Sequence, residues 1–258
     1  MRRCGKSYLL FEIFASHLEQ QGVAPDHIVK VDLEDYKNKS LRNPDNLYEY
    51  VESRIVDNGR YYVMLDEVQM LDHFEDVLNG FLRMRNVDVY VTGSNAKFLS
   101  KDIITEFRGR GYEVKMYPLC FKEFMSAYTG SVQAGFNEYM LYGGLPQVLM
   151  CQTDDQKAKY LKSLFEETYL RDIKDRYGIR RDDDLEELIT IMASGIGALT
   201  NPNKLANTFH SEKKSTISYD TVKTYIDYLC DAFLVEKSTR YDLKGKRYIN
   251  SPFKYYFM

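Results

Sequence analysis

The sequence predicts an α/β fold, a parallel sheet flanked by helices, followed by a mainly helical region. Three observations carry that expectation. Short β-type runs alternate with helical periodicity over the first 120 residues, at the spacing of β–α–β units. One of these runs, Tyr61-Tyr62-Val63-Met64-Leu65, is apolar throughout, as a strand covered on both faces must be. Beyond residue 120 the β signals fade and helical patterns take over.

Taken in order, Leu9, Leu10, Ile13, Phe14 and Leu18 fall at i, i+3/i+4 spacing and predict an amphipathic helix over 6–20, stopped by Gly22 and Pro25. Ile28 to Leu33 alternates as a short strand. Asp45 is the expected N-cap of a helix through Tyr48, Val51 and Ile55, closed by Asn58-Gly59. The apolar strand 61–65, a helix over 74–84 and a strand at Val87–Val91 follow, the last ending in Thr92-Gly93-Ser94-Asn95. Helices are expected over 121–128, 137–142, 156–177 and 184–193. A short helix at 203–209 precedes one capped by Ser218 and running to about Ala232, striped by Val222, Tyr225, Ile226, Leu229 and Phe233. A β-hairpin, Leu234–Tyr241 with Lys246–Ile249, would then complete a winged-helix pattern.

Composition excludes several classes. The chain has 258 residues and an apolar share of 44%, enough for two ordinary domains with real cores. Lys and Arg number 35 against 38 Asp and Glu, so the chain is not basic throughout. Residues 201–258 alone hold ten Lys and Arg against six Asp and Glu, a locally basic end. No apolar run is long enough for a membrane span and no signal peptide is visible at Met1. Cys4, Cys120, Cys151 and Cys230 show no CxxC spacing, which predicts reduced thiols and a cytoplasmic protein. His17, His27, His73 and His210 have no metal-ligand spacing, and there is no G-x-S-x-G elbow.

The chemistry-bearing residues cluster in the first half. Cys4-Gly5-Lys6-Ser7 opens the first helix and matches the last four positions of G-x-x-x-x-G-K-[ST]. In that motif backbone N–H groups and the positive helix end hold phosphate oxygens. Lys6 would reach the β- and γ-phosphates, Ser7 would place its hydroxyl on Mg²⁺, and Gly5 lets the backbone come close. Arg3 and Cys4 sit beside the same phosphates; the alternative for Arg3 is a solvent-facing side chain. Asp66-Glu67 ends an apolar strand, where Asp66 would hold Mg²⁺ through water and Glu67 would orient and polarise the attacking water. Surface acids that simply end a strand are the competing reading. Thr92, Ser94 and Asn95 end the next strand and are candidates for sensing the γ-phosphate and holding the water. Ser94 is the nucleotide-contacting candidate and Asn95 the catalytic one, with an ordinary helix N-cap equally open for both. Arg110, in Phe107-Arg108-Gly109-Arg110-Gly111, is either an arginine finger or a solvated arginine in a Gly-rich turn.

Six motifs in order resemble a known family: Arg2 to Ser7, Leu65 to Gln69, Thr92-Gly93-Ser94, Gly109-Arg110, Pro118 to Phe124, and Tyr142-Gly143-Gly144-Leu145-Pro146. They are similar to prokaryotic AAA-type P-loop ATPases that carry a winged helix and a restriction-endonuclease-like C-terminal domain of unknown function. The resemblance implies ATP and Mg²⁺ as ligands, with Lys6, Ser7, Asp66 and Glu67 in the roles above. Relatives of the AAA type form rings, so a homo-oligomer is a further implied partner. The expected organisation is an ATPase core over 1–118, a helical lid over 119–180, and a winged helix over 181–258 with the start of a truncated domain at Lys254. The sheet's first strand and the first Gly of the loop would fall before Met1, so both ends look cut. Thr221, Lys223 and Thr224 on the second helix and Lys244, Lys246 and Arg247 on the wing would face DNA. The rival expectation is a non-catalytic DNA- or protein-binding winged-helix module with a degenerate nucleotide site.

Overall fold

A computed structural model describes residues 3–93, 107, 110–179, 182–213, 217–241 and 251–258. The chain divides into two compact units, one ending at Met116 and one spanning Tyr117–Met258.

In the first unit three parallel strands, β1 (Ile28–Asp32), β2 (Tyr61–Asp66) and β3 (Val87–Val91), lie in the order β1-β2-β3. Register pairs Asp32 with Asp66 and Leu65 with Val91, so the carboxyl ends of the strands are level. Side-chain alternation along the strands builds two cores. Val29, Val31, Val63, Leu65 and Val87 face α2 (Pro44–Arg54) and α3 (Phe74–Phe81), packing with Leu47, Val51, Leu78 and Phe81. Ile28 and Met64 face the first helix (α1, residues 6–20) instead, against Leu10, Ala15 and Leu18, with Phe14 and Tyr90 in ring contact at 4.7 Å. The central strand is thus buried on both faces, as its composition requires. Helix α1 is continuous, running Lys6–Tyr8, a π-helical segment Leu9–Phe14, then Ala15–Gln20. Of its predicted stripe, Leu9 and Ile13 are exposed.

The N-cap of α2 is Asn43, not Asp45. Pro44 occupies the first helical position, where its missing N–H costs nothing, and the Asn43 side chain accepts from Asp45 N and Asn46 N at 3.0 and 3.2 Å.

The second unit opens with α4 (Phe121–Ala127), α5 (Val132–Tyr142) and α6 (Pro146–Met150). The two motifs expected to shape a lid meet here. Leu119 N donates to Gly144 O at 2.7 Å, and the Tyr139 hydroxyl donates to Leu119 O at 2.9 Å. Their aromatic side chains form core: the Phe124 ring is fully buried and meets Tyr139 edge-on at 5.4 Å. Helix α7 comprises Asp154–Ser163, a π-helical segment Leu164–Leu170 and Arg171–Tyr177. Then come α8 (Asp182–Ser194), α9 (Pro202–Lys213) and α10 (Tyr219–Asp231), the last capped by Ser218 as expected. Tyr177 stacks on Tyr228 at 3.6 Å and so joins α7 to α10.

Strand β4 (Val235–Ser238) pairs antiparallel with β5 (Lys254–Phe257); the expected partner strand Lys246–Ile249 lies outside the described residues. Residues read in sequence as the start of another domain therefore pair with β4 of this unit. Tyr255 is buried there, and Phe253 makes a β-bridge to Thr200, between α8 and α9.

Candidate functional site

The carboxyl edge of a parallel sheet is where open α/β folds bind ligands. Here that edge carries Asp32, Asp66-Glu67 and Thr92 on three adjacent strands. Asp66 is buried, one of few polar side chains that are. Thr92 Oγ1 donates to Asp66 Oδ1 and accepts from Glu67 N at 3.2 Å. The chain Glu67 N–H, Thr92 hydroxyl, Asp66 carboxylate is therefore fully oriented, each bond polarising the next. Thr92 N also donates to Leu65 O and Val68 N to Thr92 O, fastening the two strand ends together.

Glu67 leaves the strand with φ +51° and ψ 50°, a left-handed conformation rare for a residue with a Cβ. That turn takes its side chain off the strand's alternation. Gln69 Nε2 donates to Glu67 Oε2, while Gln69 Oε1 is buried with no hydrogen-bond partner among the described residues. A buried unsatisfied acceptor costs free energy and marks a place for a water or ligand donor.

At the other segment, Gly5 caps α1 in the left-handed region, φ +93°, without a side-chain cap, and its carbonyl accepts from Leu9 N at 2.8 Å. Arg3 also has positive φ, +60°, so two reversals lie within three residues. Cys4 turns inward: it is buried, with Sγ 3.8 Å from the Met116 carbonyl. Its side chain is thus structural, and only its backbone is available to a ligand. Lys6 is half-buried, while Arg3 and Ser7 are exposed.

Arg110 is engaged elsewhere, donating to Asn79 Oδ1 of α3 at 2.9 Å and to Phe107 O at 3.3 Å. Ser94 and Asn95 lie outside the described residues, as do Lys244, Lys246 and Arg247. Of the three residues sequence left open after β3, Thr92 is the one seen bonded to Asp66. Asp32 was not anticipated. Its carboxylate accepts from Glu34 N and Asp35 N at 2.8 and 3.2 Å, and a strand ending in acids was the available signal. Gln69 entered only as part of a motif.

Among the described residues no group of three or more His, Cys, Asp or Glu is arranged to hold a metal. No helix among them is long and apolar enough to cross a membrane.

Residues 1–125 match the family model of an AAA domain, and residues 133–258 match a domain of unknown function (DUF8612). The stretch divided in sequence between lid and winged helix thus falls largely within one family match. An "uncharacterized protein" of Haemophilus influenzae is 33% identical over 100% of this chain and 65% of its own length. One from Methanocaldococcus jannaschii is 26% identical over 95% of this chain and 56% of its own. The chain spans between about half and two thirds of the length of the curated relatives it matches. Among solved structures, the Aeropyrum pernix Orc1 protein in complex with DNA is similar over 98% of this chain and 80% of its own, at 10% identity and a TM-score of 0.34. A superposition that loose carries no argument. The N-terminal half is thus similar to AAA domains.

Proposed function

We propose that the N-terminal unit binds ATP with Mg²⁺ and hydrolyses it, and that residues 181–258 form a winged-helix module coupled to it. The observation that carries the first part is the oriented Glu67–Thr92–Asp66 chain at the carboxyl edge of the sheet. In support, Gly5 heads α1 in a conformation that leaves a helix N-terminus to an anion.

The donor set suits Mg²⁺, which keeps most of its waters and needs only one or two protein oxygens besides phosphate. Ser7 and Asp66 would hold it, and bound there it would neutralise charge on the phosphate oxygens. Lys6 reaches the β- and γ-phosphates. Glu67 orients the attacking water and polarises it, and Gln69 Oε1 offers that water a second acceptor. Thr92 acts as a positioning residue, fixing Asp66 and the Glu67 backbone. Ser94 and Asn95 are proposed as phosphate contact and catalytic residue, and Arg110 would serve as arginine finger only on leaving Asn79 and Phe107.

The winged-helix reading rests on element order: helix, a β-bridge at Thr200, two helices, then an antiparallel pair. Lys223 and Thr224 are exposed on α10, whereas the Thr221 hydroxyl is 2.9 Å from that of the cap Ser218. DNA is the partner proposed for this face, and electrostatic binding would weaken steeply with salt.

The test is nucleotide binding beside turnover, in this chain and in a form extended by upstream codons. Glu67→Gln should retain ATP and lose hydrolysis. If neither form binds ATP and Lys6→Ala changes nothing, the rival reading, a binding module with a degenerate nucleotide site, replaces this one.

A further inference from the structure

Within the second unit, α10 and the β4–β5 pair line a cavity of about 190 Å³. Its floor is aromatic: Tyr255 is buried and Phe253 half-buried, with the more exposed Tyr219 ring beside them. Its rim is charged. Lys223 and Asp227 stand one turn apart on α10, and Lys237 comes from β4, where it lies opposite Tyr255 in the ladder. All three are exposed. Among the described residues none of these charges has an ion-pair partner, although Lys223 and Asp227 have the i, i+4 spacing at which side chains meet. Lys237 Nζ sits 3.7 Å from the centroid of the Phe253 ring, a contact that holds the ammonium at the cavity wall without neutralising it. Burial above all, then Cys230, Asp227 and Tyr219, pushes the Tyr255 hydroxyl up to about 12, so the floor stays uncharged.

We infer that this cavity binds a free aromatic α-amino acid. The ring lies inward against Tyr219 and Phe253, the ammonium donates to Asp227, and the carboxylate accepts from Lys223 and Lys237. Each feature of the ligand answers one of the cavity. Charges of both signs at the rim suit a zwitterionic head, and an aromatic floor suits a planar apolar body. The volume is below the roughly 300–1,000 Å³ of pockets for drug-sized ligands and leaves room for about one ring with its head group. A residue inside a peptide has neither charge to offer, and a terminal residue has only one of the two. A nucleobase would bury a polar edge on the aromatic floor, which costs free energy unless that edge is hydrogen-bonded. The site lies wholly in the second unit and does not depend on the nucleotide reading of the first.

Isothermal titration calorimetry of the full chain tests this with L-phenylalanine, L-tyrosine and L-tryptophan at millimolar concentration. Nucleic acid is left out, because Lys223 also belongs to the face proposed for DNA. At least one of the three should bind saturably, and L-leucine several-fold more weakly. 3-Phenylpropionate, which lacks the ammonium, and phenethylamine, which lacks the carboxylate, should each bind about tenfold more weakly than the parent amino acid. Asp227→Asn should cost the amino acid about tenfold and leave 3-phenylpropionate unchanged; Lys237→Met should do the same to the amino acid and leave phenethylamine unchanged. Circular dichroism and a thermal melt of each variant confirm that the fold is kept. Failure of all three aromatic amino acids to bind, equal binding of L-leucine, a truncated ligand as tight as its parent, or indifference to either variant would each overturn the inference.

Discussion

The hydroxyl of Thr92 holds two groups at once, and Thr92→Val removes it while keeping the side chain's shape. Asp66, buried at the end of β2, loses the donor to its Oδ1, and Glu67 N loses the acceptor it reaches at 3.2 Å. A hydrogen bond to a charged group contributes about 1.5–3 kcal/mol, and an orphaned buried N–H costs about 1–3 kcal/mol more. Because Glu67 is half-buried, the second figure belongs at its low end, giving a loss of about 3 kcal/mol. That is roughly a 100-fold rise in the opening equilibrium of the strand ends, read as lost amide-exchange protection in β2 and β3. Thr92→Ser keeps the hydroxyl and should lose much less. If the Val and Ser variants exchange alike, the hydroxyl is not what holds Asp66, and the positioning role falls.

Three other outcomes follow from particular contacts. Gly144→Ala places a Cβ 2.0 Å from the Leu119 carbonyl oxygen, so it should break the Leu119–Gly144 hydrogen bond and destabilise the second unit by at least about 1–3 kcal/mol in urea unfolding. Lys157 is buried, and although burial disfavours its charge, Glu138 and Asp154 outweigh that and raise its pKa above the usual lysine range. Lys157→Met should cost about 3 kcal/mol by stranding Glu138, and adding Glu138→Gln should recover most of that loss on the same denaturation curve. Burial, with Asp227 and Asp231 nearby, pushes the Cys230 thiol from about 9 to about 11, and burial also pushes Tyr255 to about 12. Between those thiol values the folded state keeps a proton that the unfolded state has released, so stability is full below pH 9 and falls as pH rises toward 11. Thermal melts over that range should show a loss on the order of 2 kcal/mol for the thiol, discounted for its partial exposure, and Cys230→Ala should flatten the slope.

The parallel sheet was legible because its signals are local. The apolar run 61–65 and the alternation of 28–33 report burial on two faces or one, and β1, β2 and β3 fall where those patterns put them. What escaped was set by contacts distant in sequence. Helix α5 begins five residues before the expected Asn137, because Gly135, a poor helix former, packs closely against Met125 and Tyr128. The pairing of β4 with Lys254–Phe257 was not foreseen because it closes a long connection that no local pattern announces. At the site, the acids and the Gly-Lys-Ser triplet were visible as residue types. The inward turn of Cys4, the left-handed Glu67 and the bonding of Thr92 to Asp66 depend on three-dimensional packing.

The central claim is that the Gly5-Lys6-Ser7 segment and the Asp66–Glu67 edge form one nucleotide site. Titration of a fluorescent ATP analogue with Mg²⁺, in this chain and its upstream-extended form, tests it most directly. Saturable binding is expected, which Lys6→Ala abolishes, Asp66→Asn weakens only when Mg²⁺ is present, and Glu67→Gln leaves intact. Binding indifferent to Lys6→Ala and Asp66→Asn, or no binding in either form, would contradict it.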